Sequence, residues 1–308
     1  MHLRSKCLFF SAVAALTIAV CAQEGPTFTA DTRLVVLHAT VVDRHGKLLT
    51  NLDRKAFHIF EDGVEQPLKV FRREDVPLSM GIVVDNSGSM RDKRRKVEDA
   101  AMALVKASNP QDEVFVVNFN DEAYLDVDFT SDLKKLEEGV ARIDSRGGTA
   151  MRDAIDLAMD HLKKAKRDKK VLVVVTDGND NASEVSLERL IQKAQQKEIG
   201  VYTIGLLNEE EHREARRAKR ALDSITEATG GQASYPKDVD DVGKFTLEVA
   251  HEIRNQYTLA YSPMKPELDG TFRQIKVTVN GGGKPTVRTR TGYYASPELA
   301  KAKPGAAD

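Results

Sequence analysis

The chain has 308 residues, 41% hydrophobic and 30% charged, enough apolar material for a sizeable core over two domains and too much for an intrinsically disordered chain. Its 46 basic and 47 acidic side chains leave a formal net charge of −1, so it lacks the positive excess that holds nucleic acid. Its two cysteines, Cys7 and Cys21, both precede Gln23.

The first residues, MHLRSKCLFFSAVAALTIAVCA, set Arg4 and Lys6 before an apolar run from Cys7 to Val20 and end on a small residue, Ala22. That layout predicts a secretory signal peptide over 1–22 and a periplasmic or secreted protein. The run is shorter than the roughly 20 residues that span a bilayer, so an uncleaved anchor is the weaker reading. Lipid attachment at Cys21 is weaker still, because Val20 stands where Ala or Gly is usual. Cleavage after Ala22 would remove both cysteines, leaving a core rather than disulfides to hold the fold. No later segment is apolar enough to cross a membrane.

Residues 29–75 read as strands: RLVVLHATVVD is apolar and β-branched, RHGK is a turn, and AFHIF runs through EDG to QPLKVF. Two or three strands are too few to stand alone. Over 77–262, wholly apolar strands alternate with segments of helical period. The strands are LSMGIVV, EVFVVNF, YLDVDF, KVLVVVT, VYTIGLL and YTLAY. Helices are predicted over Lys93–Ala107, Ser131–Ile143, Ala150–Lys166, Leu187–Glu198, Glu211–Ala228 and Val242–Asn255. This order predicts an α/β fold class, a doubly wound, mostly parallel sheet with helices on both faces. Residues 271–295 return to strands, FRQIKVTV and TVRTRTGYY, with NGGGKP as a hairpin connection. They are predicted to pair with 29–75 into a small β domain, the α/β domain being inserted between, and 296–308 to be a disordered tail.

In open α/β sheets ligands bind beyond the carboxyl ends of the strands. There GIVV runs into Asp85-Asn86-Ser87-Gly88-Ser89, one carboxylate and two hydroxyls on alternate positions, and KVLVVVT ends on Asp177. Between them Arg146-Gly147-Gly148-Thr149 supplies a bend and a hydroxyl at a helix start. Oxygen-only donors suit a hard divalent cation, Mg²⁺ first with Mn²⁺ or Ca²⁺ as alternatives, and do not suit zinc or copper. Two carboxylates neutralise a dication, and the hydroxyls leave a coordination position for an acidic side chain of a protein partner. Asp-x-Ser-x-Ser alone would be no more than a helix cap. Its order with Thr149 and Asp177 makes it specific.

These five residues, Asp85, Ser87, Ser89, Thr149 and Asp177, resemble the metal-ion-dependent adhesion site of von Willebrand factor type A domains, over roughly Pro77 to Tyr261. The flanks LDRKAFHIFEDGVEQPLKVF, YTLAYSP and RTGYYA further resemble a bacterial group of exported von Willebrand factor A-related proteins. The resemblance implies a Rossmann-like fold, a divalent ion at these five residues, and partner binding without catalysis. It also implies that Ser87 and Ser89 coordinate directly, while Thr149 and the two aspartates bind directly or through water.

Other features have plainer readings. Asp153 and Asp180 could add charge near the metal but read first as surface caps. The basic stretches Arg91–Lys96 and Lys163–Lys170 could steer an acidic partner but read first as solvated helix faces, as does EEEHREARRAKR. His251-Glu252 lacks the second His of a zinc-protease motif, since Asn255 stands there, and Asn181-Ala182-Ser183 is a chance-level glycosylation match. Two alternatives remain: a metal-dependent phosphoryl-transfer or hydrolytic enzyme, which would want a carboxylate where Ser87 stands, and a scaffold with a vestigial metal site. Neither a serine-hydrolase elbow, a dinucleotide fingerprint nor a phosphate-binding loop is present.

Overall fold

A computed structural model describes residues 34–297 except 74, 143–144, 179, 208–211 and 282. The expected leader, 1–22, and nearly all of the expected tail, 296–308, lie outside the described residues.

β1 (Val35–Val42) buries alternate residues Val35, Leu37, Ala39 and Val41, as the period of side-chain directions along a strand requires. β2 (Phe57–Glu61) and β3 (Val64–Gln66) form a hairpin on Asp62 and Gly63, whose φ values of 49° and 83° give the left-handed turn that a twisted ribbon favours. β4 (Leu68–Arg72) follows.

Next come β5 (Leu78–Asp85), α1 (Arg94–Lys106), β6 (Glu113–Phe119), β7 (Ala123–Thr130), α2 (Leu133–Val140) and α3 (Met151–His161). They are followed by β8 (Lys169–Thr176), α4 (Leu187–Lys197), β9 (Ile199–Gly205), α5 (His212–Thr229), β10 (Ala233–Ser234) and α6 (Val242–Arg254). The strands form one sheet ordered β10-β9-β8-β5-β6-β7. β5 lies in its middle and is buried at every position. Successive residues of β5 serve opposite faces: Met80, Ile82 and Val84 join the core beneath α1, α2 and α6, while Val83 joins the core beneath α3, α4 and α5. Residues buried on both faces are why these strands read as unbroken apolar runs.

YLDVDF differs from its parallel neighbours: β7 runs antiparallel to β6, returned by the turn at Asn120–Glu122. Toward its end the exposed Asp128 alternates with the half-buried Val127 and Phe129, which suits an edge strand with a wet face.

Two sequence expectations are corrected beyond α6. β11 (Tyr257–Tyr261), expected in the α/β sheet, instead pairs antiparallel with β1 and β4. It is central in its own sheet, and a short apolar run looks the same in either setting. The hairpin expected across NGGGKP does not form. β12 (Phe272–Val279) pairs with β2 and β14 (Gly292–Tyr294), whereas β13 (Thr286–Arg288) pairs with β1. The intervening segment therefore carries the chain from the sheet β14-β12-β2-β3 to the sheet β13-β1-β11-β4. Leu37, Ile59, Leu259, Tyr261, Ile275 and Tyr293 close one core shared by the two sheets.

This sandwich docks where helices of the α/β unit end. Arg290 pairs with Glu198 at 2.8 Å just past α4, Arg288 with Glu252 of α6 at 2.6 Å, and Thr291 N–H donates to Ala228 O of α5 at 3.2 Å. Gly230 ends α5 with φ 81°, and a Cβ there would lie 2.5 Å from Arg290 N. Both its handedness and its lack of a side chain are used. Gly230→Ala is expected to cost about 2–3 kcal/mol, from the left-handed conformation plus the clash, and to lower the urea midpoint at unchanged slope.

Candidate metal centre

β5 delivers Asp85 as its last residue, 1% exposed, at the carboxyl end of the sheet. Its Oδ1 accepts Ser87 N–H at 2.8 Å and its Oδ2 accepts the Thr176 hydroxyl at 2.6 Å. The chain then makes a single tight turn over Gly88–Met90, pinned by the fully buried Met90. In this turn the Oγ atoms of Ser87, buried, and Ser89, exposed, lie 3.1 Å apart. Asp177 is the first residue beyond β8, with its side chain 9% exposed. Thr149 is buried just ahead of α3.

Backbone bonds fasten the three loops together. Gly88 N–H donates to Gly147 O at 3.1 Å and Arg146 N–H to Asn86 O at 3.0 Å, joining the Asp85 loop to the Thr149 loop. Thr149 N–H donates to Asn181 Oδ1 at 2.9 Å, and Thr149 O accepts from Asn181 N and Ala182 N, joining the Thr149 loop to the Asp177 loop. Gly148 N–H adds a bond to Asp121 Oδ1 at 2.6 Å. The structure thus gathers all five sequence-predicted residues at one end of the sheet, on loops that hold one another.

The electrostatics are unbalanced toward negative charge. The Asp85 carboxyl is pushed up to about 6, first by burial and then by the charge of Asp177, despite the bonds from Ser87 and Thr176 that favour its ionised form. Lys93 Nζ lies 3.0 Å from Asp177 Oδ2. A small cation is the species that such a pair of carboxylates beside paired hydroxyls would accept, and an all-oxygen set suits a hard one. Among the described residues no group of three or more His, Cys, Asp or Glu could hold a metal ion, so a cation here would depend on hydroxyl donors.

Asp153 and Asp180 serve the loops. Asp180 accepts Arg152 N–H at 2.8 Å and pairs with the Arg152 guanidinium at 3.1 Å, while Ser183 Oγ accepts Asp153 N–H at 3.2 Å. The first turn of α3, which has no side-chain cap of its own at Ala150, is therefore capped from a distant loop. Asp153 in return accepts from Glu184 N and Val185 N. Sequence reading did not assign Thr176, Asn118, Asn181 or Lys93 to the site. Asn118 accepts from Asn86 Nδ2 at 2.9 Å. A polar residue at or next to the end of an otherwise apolar strand was a readable signal for Thr176 and Asn118. Asn181 offered none, and Lys93 only its place in the basic stretch Arg91–Lys96. Beside the Asp177 loop lies a cleft of about 330 Å³, lined in part by Met151, Arg152, Gly178, Asp180, Arg217 and Arg220.

Residues 80–179 match the family model of the von Willebrand factor type A domain. An uncharacterized protein of Borreliella burgdorferi is 33% identical over 104 residues, covering 32% of this chain and 30% of that protein. Inter-alpha-trypsin inhibitor heavy chain H4 of Sus scrofa is 25% identical over 142 residues, 42% of this chain and 15% of that protein. The chain thus spans less than a third of the length of either relative. The solved von Willebrand factor type A structure from Catenulispora acidiphila superposes with a TM-score of 0.50 at 16% identity, over 74% of this chain and 69% of that one. The likeness is one of fold: the α/β unit has the fold of a von Willebrand factor type A domain.

Proposed function

We propose that this von Willebrand factor type A domain is the working part of an exported, non-catalytic binding protein that holds a divalent cation, Mg²⁺ first, and grips an acidic side chain of a protein partner. Asp85, Ser87, Ser89, Thr149 and Asp177 would hold the ion. The observation that carries this reading is the buried Asp85 carboxylate, strained by the charge of Asp177, next to two hydroxyls 3.1 Å apart. A bound dication would supply positive charge and an open position for a carboxylate from outside. The chain's own residues do the rest. Thr176 and the Ser87 N–H aim Asp85, Asn181 fixes the backbone of Thr149, and the Gly88–Gly147 bond sets the spacing of the two loops.

Binding rather than turnover is supported by the neighbours of the site. Among the described residues no histidine hydrogen-bonds to any of the five, and the polar groups around them are amides, hydroxyls and one ammonium. Among the described residues the sandwich docks at the ends of α4, α5 and α6, away from the loops after β5 and β8 that would meet a partner. Export rests on the leader, and no described helix is long and apolar enough to cross a membrane.

Calorimetric titration of Mg²⁺, Mn²⁺ and Ca²⁺ into chelator-stripped protein tests the reading. One-site binding by the parent that is lost in Asp85→Ala is expected. Absence of binding by the parent, or equal binding by both proteins, would sink it.

A further inference from the structure

The basic run Arg91–Lys96 leads into α1, which starts at Arg94, and its helical part behaves as a helix face. Arg94 pairs with Glu98 along the helix at 2.6 Å, and Lys96 pairs with Asp240 at 2.8 Å on the open surface. Lys93 departs from this pattern. Its side chain turns across to Asp177, Nζ to Oδ2 3.0 Å, with 27% of the lysine and 9% of the aspartate side chain exposed. An ammonium thus occupies the flank of a carboxylate that the proposed function gives to a metal.

We propose that Lys93 is a displaceable latch on the metal site, holding Asp177 while no dication is present and swinging out to the partner-facing surface when one binds. This rests on the metal reading of the five residues. The argument is one of charge and reach. Asp85 and Asp177 repel each other, and the Lys93 ammonium partly offsets that repulsion at Asp177, keeping the loop after β8 in place without a metal. A dication on the same carboxylate would stand within a few ångströms of the ammonium, where like charges in a partly dry site repel strongly. The ammonium is the mobile partner, since it rides on a flexible four-carbon stem whose exposed part already leads to solvent. Release of Lys93 and binding of the ion are then one event, and the latch lowers metal affinity by the strength of its contact with Asp177. The freed ammonium would stay near Asp177 on the partner-facing surface, where it adds a second contact to an incoming carboxylate.

The test is calorimetric titration of MgCl₂ into chelator-stripped parent, Lys93→Met, Lys93→Arg and Asp85→Ala proteins. Lys93→Met keeps the length of the side chain without its charge, and Lys93→Gln repeats the comparison if it does not fold. Lys93→Met is expected to bind Mg²⁺ roughly fivefold more tightly than the parent, the worth of a partly exposed ion pair. Lys93→Arg should bind no more tightly than the parent, because the charge is kept. Thermal melting supplies a second readout: Lys93→Met should melt below the parent in chelator and level with it in saturating Mg²⁺. Equal or weaker binding by Lys93→Met than by a binding-competent parent would overturn the latch and leave the metal site standing. No binding by the parent or Lys93→Met would overturn both.

Discussion

In metal-free buffer at neutral pH, Asp85→Asn is expected to be more stable than the parent by about 1–2 kcal/mol, and to have lost Mg²⁺ binding by at least about a hundredfold. The sign follows from linkage. The Asp85 carboxyl stands near 6 in the fold against 3.8 for an unperturbed aspartate, raised by burial and then by Asp177. Below about pH 4 both folded and unfolded chains hold the proton and no penalty exists. As pH rises the unfolded chain ionises first, so the parent loses stability until the folded group also ionises near 6, and the loss persists above. About two units correspond to about 3 kcal/mol, from which about 1 kcal/mol is deducted because a neutral amide is a poorer acceptor for Ser87 N–H and the Thr176 hydroxyl. Asparagine cannot ionise, so its stability curve lacks this fall. Mg²⁺ at a hundredfold excess over its dissociation constant should add about 2.7 kcal/mol to the parent and nothing to the variant. Urea titrations from about pH 4 to 8, with and without Mg²⁺, check both halves. Parallel parent and variant curves would mean that Asp85 ionises without strain, which removes the electrostatic reason for a cation.

The reasons some of this was legible in the sequence and some was not are physical. Asp85, Ser87, Ser89, Thr149 and Asp177 each follow an unmistakable apolar strand or precede a helix, so strand order alone carries them to one end of the sheet. What orients them is tertiary: Thr176 reaches Asp85 across 91 positions of sequence and Lys93 reaches Asp177 across 84. No local pattern encodes such pairs. The helices of the α/β unit were legible because each buries a single stripe, as α1 does with Val97, Ala101, Leu104 and Val105. Tyr257–Tyr261 was misplaced because its partners, β1 and β4, lie some 200 residues away in the chain, and burial by a distant strand leaves the same apolar signature as burial in a parallel sheet. The edge position of β7, by contrast, left a trace in the exposed Asp128, which a strand covered on both faces would not carry, while its reversed direction left none.

The other large effect is expected in the sandwich. Glu61 of β2 and Arg273 of β12 are 3% and 1% exposed. The Glu61 carboxylate accepts the Tyr261 hydroxyl at 2.6 Å, the Tyr293 hydroxyl at 3.0 Å and Arg273 Nη1 at 3.3 Å. The guanidinium also donates to Lys265 O at 3.0 Å and Glu267 O at 2.8 Å. Burial and the bond to Glu61 push the Tyr261 phenol upward, so it stays a donor at any ordinary pH. Four strands from both sheets thus meet on one carboxylate. Glu61→Ala would take the acceptor from the buried Tyr261 hydroxyl and one of two carboxylates from the Arg273 guanidinium, which keeps Asp269 at 3.4 Å, at a cost of about 2–4 kcal/mol. That is a large part of the 5–15 kcal/mol typical of a whole domain. The chain has no tryptophan, so the loss is best followed by far-ultraviolet circular dichroism in urea. The double change Glu61→Leu with Arg273→Met should recover only the part of the loss that comes from the ion pair, because desolvation offsets much of what a buried pair contributes while the Tyr261 hydroxyl still lacks the carboxylate. Since the sandwich docks away from the loops after β5 and β8, the folded fraction of Glu61→Ala should keep the parent's Mg²⁺ affinity. A cost below about 1 kcal/mol would show that water replaces the carboxylate as acceptor, and that packing of Leu37, Ile59 and Ile275 rather than this network holds the two sheets together.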